Sequence, residues 1–204
     1  MTSGMESPAG RALALVKKRG IARARDFDAA GIPLVYLKRL CDDGRLVQLA
    51  RGVYQLPELA GTDAAHSLAV AARLMPQGIV CLLSALRHHG LTTQLPHAVW
   101  MTLPRGARGA KSAPFPIEVV HASEPVVPTH VERVDIEGVQ VPIYKVPKTV
   151  ADCFKHRRRV GLDVAIEALR DAIRRRKATP AEVMRAAAFG RVSNVMRPYV
   201  EALI

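Results

Sequence analysis

The chain is short of the residues that several common kinds of site require. Its three cysteines, Cys41, Cys81 and Cys153, are far apart and odd in number. That argues against a disulfide framework, and no CxxC pair or His/Cys spacing of the zinc type occurs. Aromatic residues make up 4% of the chain, with a single Trp. So few rings interleave the basic residues that base stacking on single strands is disfavoured. There is no GxxxxGK[ST] phosphate loop and no cluster of Asp residues for a metal. Asp135 and Glu137 lack the following Lys of a two-carboxylate nuclease motif. No apolar run reaches ~20 residues and no signal-peptide pattern is present, so the expectation is a soluble, cytoplasmic protein. No internal repeat is evident.

Acidic residues are also scarce. Against 30 Lys and Arg stand 18 Asp and Glu, giving a formal charge of +12 and a pI of about 10.3. Such an excess favours a polyanionic partner through counterion release. It is not confined to one end: residues 1–60 carry +4 and residues 61–204 carry +8, of which +7 lies between Lys145 and Lys177. With 49% hydrophobic residues and a mean hydropathy of +0.07, the 204 residues are enough for one or two domains with real cores.

The most informative stretch is RDFDAAGIPLVYLKRLCDDGRLVQLARGVYQLP, from Arg25 to Pro57. A short helix runs into Gly31-Ile32-Pro33, where Gly31 ends one helix and Pro33 suits the first turn of the next. Leu34, Leu37, Leu40 and Cys41 then form an apolar stripe, and Val35, Tyr36, Lys38, Arg39 and Asp42 point outward. Two short strands follow around Ala50-Arg51-Gly52, with Gly52 permitting a tight turn. An earlier helix over residues 8–19 caps this core. The order is a helix-turn-helix followed by a wing, which presents one helix and a basic hairpin tip to a DNA duplex. The same shape also serves as a protein-interaction or structural module.

Further on, residues 1–7 read as a tail and residues 57–63 as a linker. A helix is expected at 63–75, an apolar run at 79–83 and a short helix at 84–89. Strands are expected at 99–103 and 117–121, flanking a Pro- and Gly-rich mobile loop at 104–116 that carries Arg105, Arg108 and Lys111. A hairpin over 131–136 and 139–144 turns at Glu137-Gly138. The rest reads as helical. Leu162, Ala165, Ile166, Leu169, Ala172 and Ile173 share one face. Thr179-Pro180-Ala181-Glu182 has the form of a capping box, and a last helix spans 193–203 with Pro198 near its start. The fold class is therefore α+β (mixed α/β): a winged helix-turn-helix at 8–58, then a larger domain at 62–204, with a small mixed sheet to about 146 and a helical block over 147–204.

Two further features carry possible chemistry. His88-His89 is the most enzyme-like pair, but Ser84 one turn away more simply shares a surface or helix end with it. The basic residues Lys155, Arg157, Arg158, Arg170, Arg174, Arg175 and Lys177 are either a solvated face favouring helix C-termini or a surface for phosphates, RNA or an acidic partner.

GIPLVYLKRLCDDGRLVQLARGVYQLPE resembles the N-terminal winged helix of the AbiEi family, antitoxins of type IV abortive-infection toxin–antitoxin systems. VCLLSALRHHGLTTQLPHAVWMTLPRG, VPIYKVPKTVADCFKHRRRVGLDVAIEALRDAIRRRKATPAEV and NVMRPYVEAL resemble the second domain of the same family. The resemblance implies an autorepressor that binds inverted repeats in its own promoter. It also implies an antitoxin domain that counters an AbiEii-like nucleotidyltransferase toxin, with no stable complex required. From the residues, no catalytic residue, no cofactor and no metal is expected, and RNA is a further candidate partner. Carried onto this chain, the recognition helix is 34–42 and the wing 48–54. The expected DNA contacts are Arg23, Arg25, Val35, Tyr36, Lys38, Arg39, Gln48 and Arg51. The alternative is a DNA-binding module fused to a nuclease-like or other enzymatic domain.

Overall fold

Ser7 opens the first helix: its Oγ accepts the Gly10 N–H at 3.1 Å, and Pro8 occupies the first helical position, where no N–H is needed. The structure, a computed structural model, describes residues 7–59, 63–110 and 112–203. Residues 1–6 of the expected tail, 60–62 of the expected linker and Lys111 of the expected loop lie outside the described residues. The described residues fall into two units. The first draws on Met1–Pro76, Gly109–Pro116 and Val134–Val141; the second draws on Gln77–Arg108, Ile117–Arg133 and Pro142–Ile204.

In the first unit α1 (Pro8–Arg19), β1 (Ile21–Arg23), α2 (Ala24–Ala29), α3 (Val35–Asp42), β2 (Val47–Ala50) and β3 (Val53–Gln55) follow one another. The three strands form an antiparallel sheet in the order β1-β3-β2. This is a winged helix, with β1 as a strand that sequence patterning does not reveal. Ala12, Val16, Ala22, Phe27, Ile32, Leu37, Leu40, Leu46 and Leu56 make its core, and Phe27 meets Tyr54 edge-on at 5.8 Å. The expected stripe on α3 needs one correction. Leu34 stands before the helix and is 52% exposed, and Ile32 fills the core in its place. Cys41, the last residue of the expected apolar stripe, is only half-buried.

The first unit also holds α4 (Ala64–Leu74), capped by Asp63, and the tip of a later hairpin. Glu137 at that tip accepts from Gln55 Nε2 at 3.0 Å and lies 2.9 Å from His66 Nδ1. Gly20 has φ +66°, and a Cβ there would stand 1.5 Å from the Glu137 carbonyl oxygen. Only glycine allows that approach.

A mixed five-stranded sheet in the order β6-β5-β4-β8-β7 is made of β4 (Ile79–Val80), β5 (Val99–Leu103), β6 (Ile117–His121), β7 (Val131–Ile136) and β8 (Val139–Tyr144), all of the second unit except for residues 134–136 of β7 and 139–141 of β8. β4 runs antiparallel to β5 and parallel to β8, and β5 runs parallel to β6. The helices α5 (Leu82–His88), α6 (Val146–Lys155), α7 (Arg157–Val160), α8 (Leu162–Arg174), α9 (Pro180–Phe189) and α10 (Ser193–Glu201) complete the unit. Leu86, Trp100, Phe154, Leu169, Val183 and Met196 belong to one continuous core. Helix α5 begins two residues before its expected start, with Leu82 at φ 46°. Pro198 lies inside α10 and not near its start. Leu162, the first residue of α8, is 37% exposed although it falls on the apolar face, because a first-turn residue projects beyond the packed stretch.

Candidate nucleic-acid interface

The outward side of α3 is built by subtraction. Leu37 and Leu40 are drawn into the core, which leaves Val35, Lys38, Arg39 and Asp42 exposed and Tyr36 half-buried. The Arg39 guanidinium sits over the Tyr36 ring at 5.7 Å. That contact holds a flexible cation beside an aromatic face. Val35 is 53% exposed, an apolar group beside the charges.

Three more of the expected residues are gathered at the other end of the hairpin. The Ala24 N–H donates to the Gly52 carbonyl at 2.8 Å, and β1 pairs with β3 so that Arg23 lies opposite Val53. The turn carrying Arg51 is thereby tied to the start of α2, which is flanked by Arg23 and Arg25. Gly52 has φ +72°, as the turn demands, and Ala24 Cβ leaves room for a Cβ there. Arg51, Arg25 and Gln48 are exposed and Arg23 is half-buried.

The acid that meets this arginine group is Asp26. Its Oδ2 accepts the Arg23 N–H at 2.8 Å, and its Oδ1 lies 3.4 Å from Arg19 Nη1. Burial first, and then the Arg25 charge, lowers the Arg23 pKa, with Asp26 acting the other way. Arg73 on α4 donates to the Arg19 carbonyl at 3.1 Å, and its pKa is lowered by burial above all and also by the Arg19, Arg23 and Arg25 charges. Arg19, Arg23 and Arg73 thus all lie in the field of Asp26, with the Arg25 charge beside them, a concentration of positive charge suited to phosphate. Arg73 escaped sequence reasoning because its place here depends on α4 packing, and Arg19 because its partner Asp26 stands on another helix. Exposed Arg45, just past α3, was also passed over, and its position after Asp42-Asp43-Gly44 was the available signal.

The basic residues of the second unit divide by their partners. Lys155 Nζ is held by Glu124 Oε1 at 2.6 Å and by Ser123 Oγ at 2.7 Å. Arg175 meets Asp171 at 2.6 Å and the Gly90 carbonyl at 2.8 Å, Arg157 donates to the Phe154 carbonyl, and Lys177 donates to the His89 carbonyl. Arg158, Arg170 and Arg174 are exposed, and Arg170 and Arg174 share one face of α8 at i, i+4 spacing.

A polar cavity of about 20 Å³ in the same unit is lined by His130, Tyr144, Lys148, Asp152 and Lys155, among others. Lys148 and Asp152 form a buried pair one helical turn apart, and Lys148 also lies over the Tyr144 ring at 4.9 Å. Burial, with help from Asp152, pushes the Tyr144 hydroxyl pKa well up. The space suits one water and is far below the ~300 Å³ of a small-molecule pocket. Ser84 does not engage His88: its Oγ accepts the Trp100 N–H at 2.9 Å.

Residues 11–57 match the model of a family described as "Transcriptional regulator, AbiEi antitoxin". Among solved structures, the chain is similar to the RV2827C protein from Mycobacterium tuberculosis. The TM-score is 0.61 at 17% identity, covering 96% of this chain and 80% of that one. At that identity the likeness is one of fold. No curated protein matches the chain. Among the described residues, no helix is long and apolar enough to cross a membrane.

Proposed function

We propose, from the match of residues 11–57 to the AbiEi antitoxin transcriptional regulators, that this chain is a DNA-binding regulator and the antitoxin of a toxin–antitoxin pair. The observation that carries the reading is the exposed basic side of a winged helix, with Lys38 and Arg39 on α3 and Arg51 tied beside Arg23 and Arg25. In this reading α3 enters the major groove. Arg39 and Lys38 reach guanine O6/N7 or phosphate, and Val35 touches thymine methyls. Arg23, Arg25 and Arg51 take the backbone, and Gln48 extends the hairpin's contact. The target is an inverted repeat in the protein's own promoter. The second unit, through Arg158, Arg170 and Arg174, opposes a nucleotidyltransferase-like toxin without itself carrying out chemistry.

The test is a fluorescence anisotropy titration at physiological salt, comparing DNA from upstream of the gene with a scrambled duplex of equal length. A preference for the upstream DNA of about a thousandfold or more is expected of a specific regulator. Equal, salt-sensitive binding to both would reduce the interface to non-specific charge attraction.

A further inference from the structure

His88 ends helix α5 and His89 caps it, and Glu132 stands on β7. Their potential ligand atoms all lie within 4.8 Å of one another. His89 Nε2 lies 2.7 Å from the Tyr144 carbonyl oxygen. A carbonyl only accepts, so Nε2 must carry the proton, and in the neutral ring Nδ1 presents a lone pair. That lone pair is 3.8 Å from Glu132 Oε1. The His88 ring meets the His89 ring edge-on, with centroids 5.2 Å apart, although the two residues are adjacent in sequence.

From this juxtaposition we infer that His88, His89 and Glu132 form a binding site for a divalent transition metal of the zinc class. Two imidazoles and one carboxylate are a common three-ligand set for zinc, leaving further positions to water. With metal–ligand bonds of ~2.0–2.1 Å, donors in a tetrahedral site stand about 3.4 Å apart. The 3.8 Å between His89 and Glu132 is close to that spacing, and the His88 ligand atom lies within 4.8 Å of both. The Tyr144 carbonyl supplies the second contact that orients a ligating imidazole and selects its free nitrogen.

The surroundings also set the selectivity. Lys177 donates to the His89 carbonyl and Arg175 to the Gly90 carbonyl. These positive charges oppose any cation bound by charge alone, so oxygen-seeking Mg²⁺ and Ca²⁺ are disfavoured and imidazole-seeking ions are not. A bound ion would link the end of α5 to β7 and stabilise the folded unit by mass action.

The test uses full-length protein stripped of metal, titrated calorimetrically with Zn²⁺ and followed with Co²⁺ by visible absorption. One equivalent should bind and raise the thermal midpoint, while Mg²⁺ should not compete. Glu132→Gln and His88→Ala should each weaken Zn²⁺ at least about tenfold. Each alters a different element, and circular dichroism checks that each still folds. Absence of Zn²⁺ binding up to millimolar concentrations would overturn the site, as would wild-type affinity in either folded variant.

Discussion

Arg39 is the side chain on which the proposed base reading most depends, because it is exposed on α3 and held over Tyr36. Arg39→Ala is expected to cost about 1–3 kcal/mol in binding to the promoter duplex, with less effect on a scrambled one. Anisotropy on both duplexes checks this, and equal affinity of a folded variant would remove Arg39 from the contact list. Arg51 is placed differently, at a turn fastened to α2, where it reaches backbone more readily than base edges. Arg51→Ala should therefore weaken both duplexes together and lower the salt slope by about one. Gly20 illustrates a residue whose importance is purely steric. Gly20→Ala meets the left-handed backbone penalty of roughly 1–2 kcal/mol and a Cβ 1.5 Å from a carbonyl oxygen. The expected result in thermal melting is loss of a folded first unit, or a midpoint lowered by many degrees.

At the scale of elements, the hairpin turn at Glu137-Gly138 does more than reverse the chain. Glu137 at φ 53° and Gly138 at φ 74° suit a tight primed turn. That turn delivers the Glu137 carboxylate to Gln55 on β3 and His66 on α4. Glu137→Ala would leave the buried Gln55 amide and the His66 ring without their acceptor, at a cost of about 1–3 kcal/mol. Denaturant unfolding of the variant measures this, and an unchanged midpoint would show that water replaces the carboxylate at no cost. Local patterning made several elements legible. Pro8 and the Thr179-Glu182 capping box marked helix starts, and Glu182 does accept from both the Thr179 N–H and its hydroxyl at 2.8 Å. The three-residue strand β1 was not legible. Its strand partner among the described residues is β3, at least thirty residues later, and so short a segment has no periodicity to read.

For the whole molecule, the +12 charge is spread through the chain, and individual cations differ in whether the structure pairs them. Lys155, Arg175 and Arg159 each have a carboxylate partner at 2.6–2.8 Å. Exposed Arg170 and Arg174 have none among the described residues. The paired variant Arg170→Glu with Arg174→Glu thus tests the proposed toxin-opposing surface without breaking a structural ion pair. It should abolish rescue from the co-expressed toxin while leaving promoter affinity within about threefold, since it removes no phosphate contact of the winged helix. Full rescue by the variant would make that side of α8 a solvated face.

Composition, turn chemistry and periodicity were sufficient for the α+β class, the helix-turn-helix and wing, most element bounds and the residues expected to face DNA. Each of these rests on interactions between residues a few positions apart, which a linear text records directly. Tertiary structure alone placed Ile32 in the core instead of Leu34 and brought Arg73 to the arginines of α1 and β1. It also set Glu137 against Gln55, 82 residues away, and brought the ligand atoms of His88, His89 and Glu132 within 4.8 Å of one another. These depend on which surfaces meet when the elements pack, and side chains distant in sequence carry no local mark of the partner they will find.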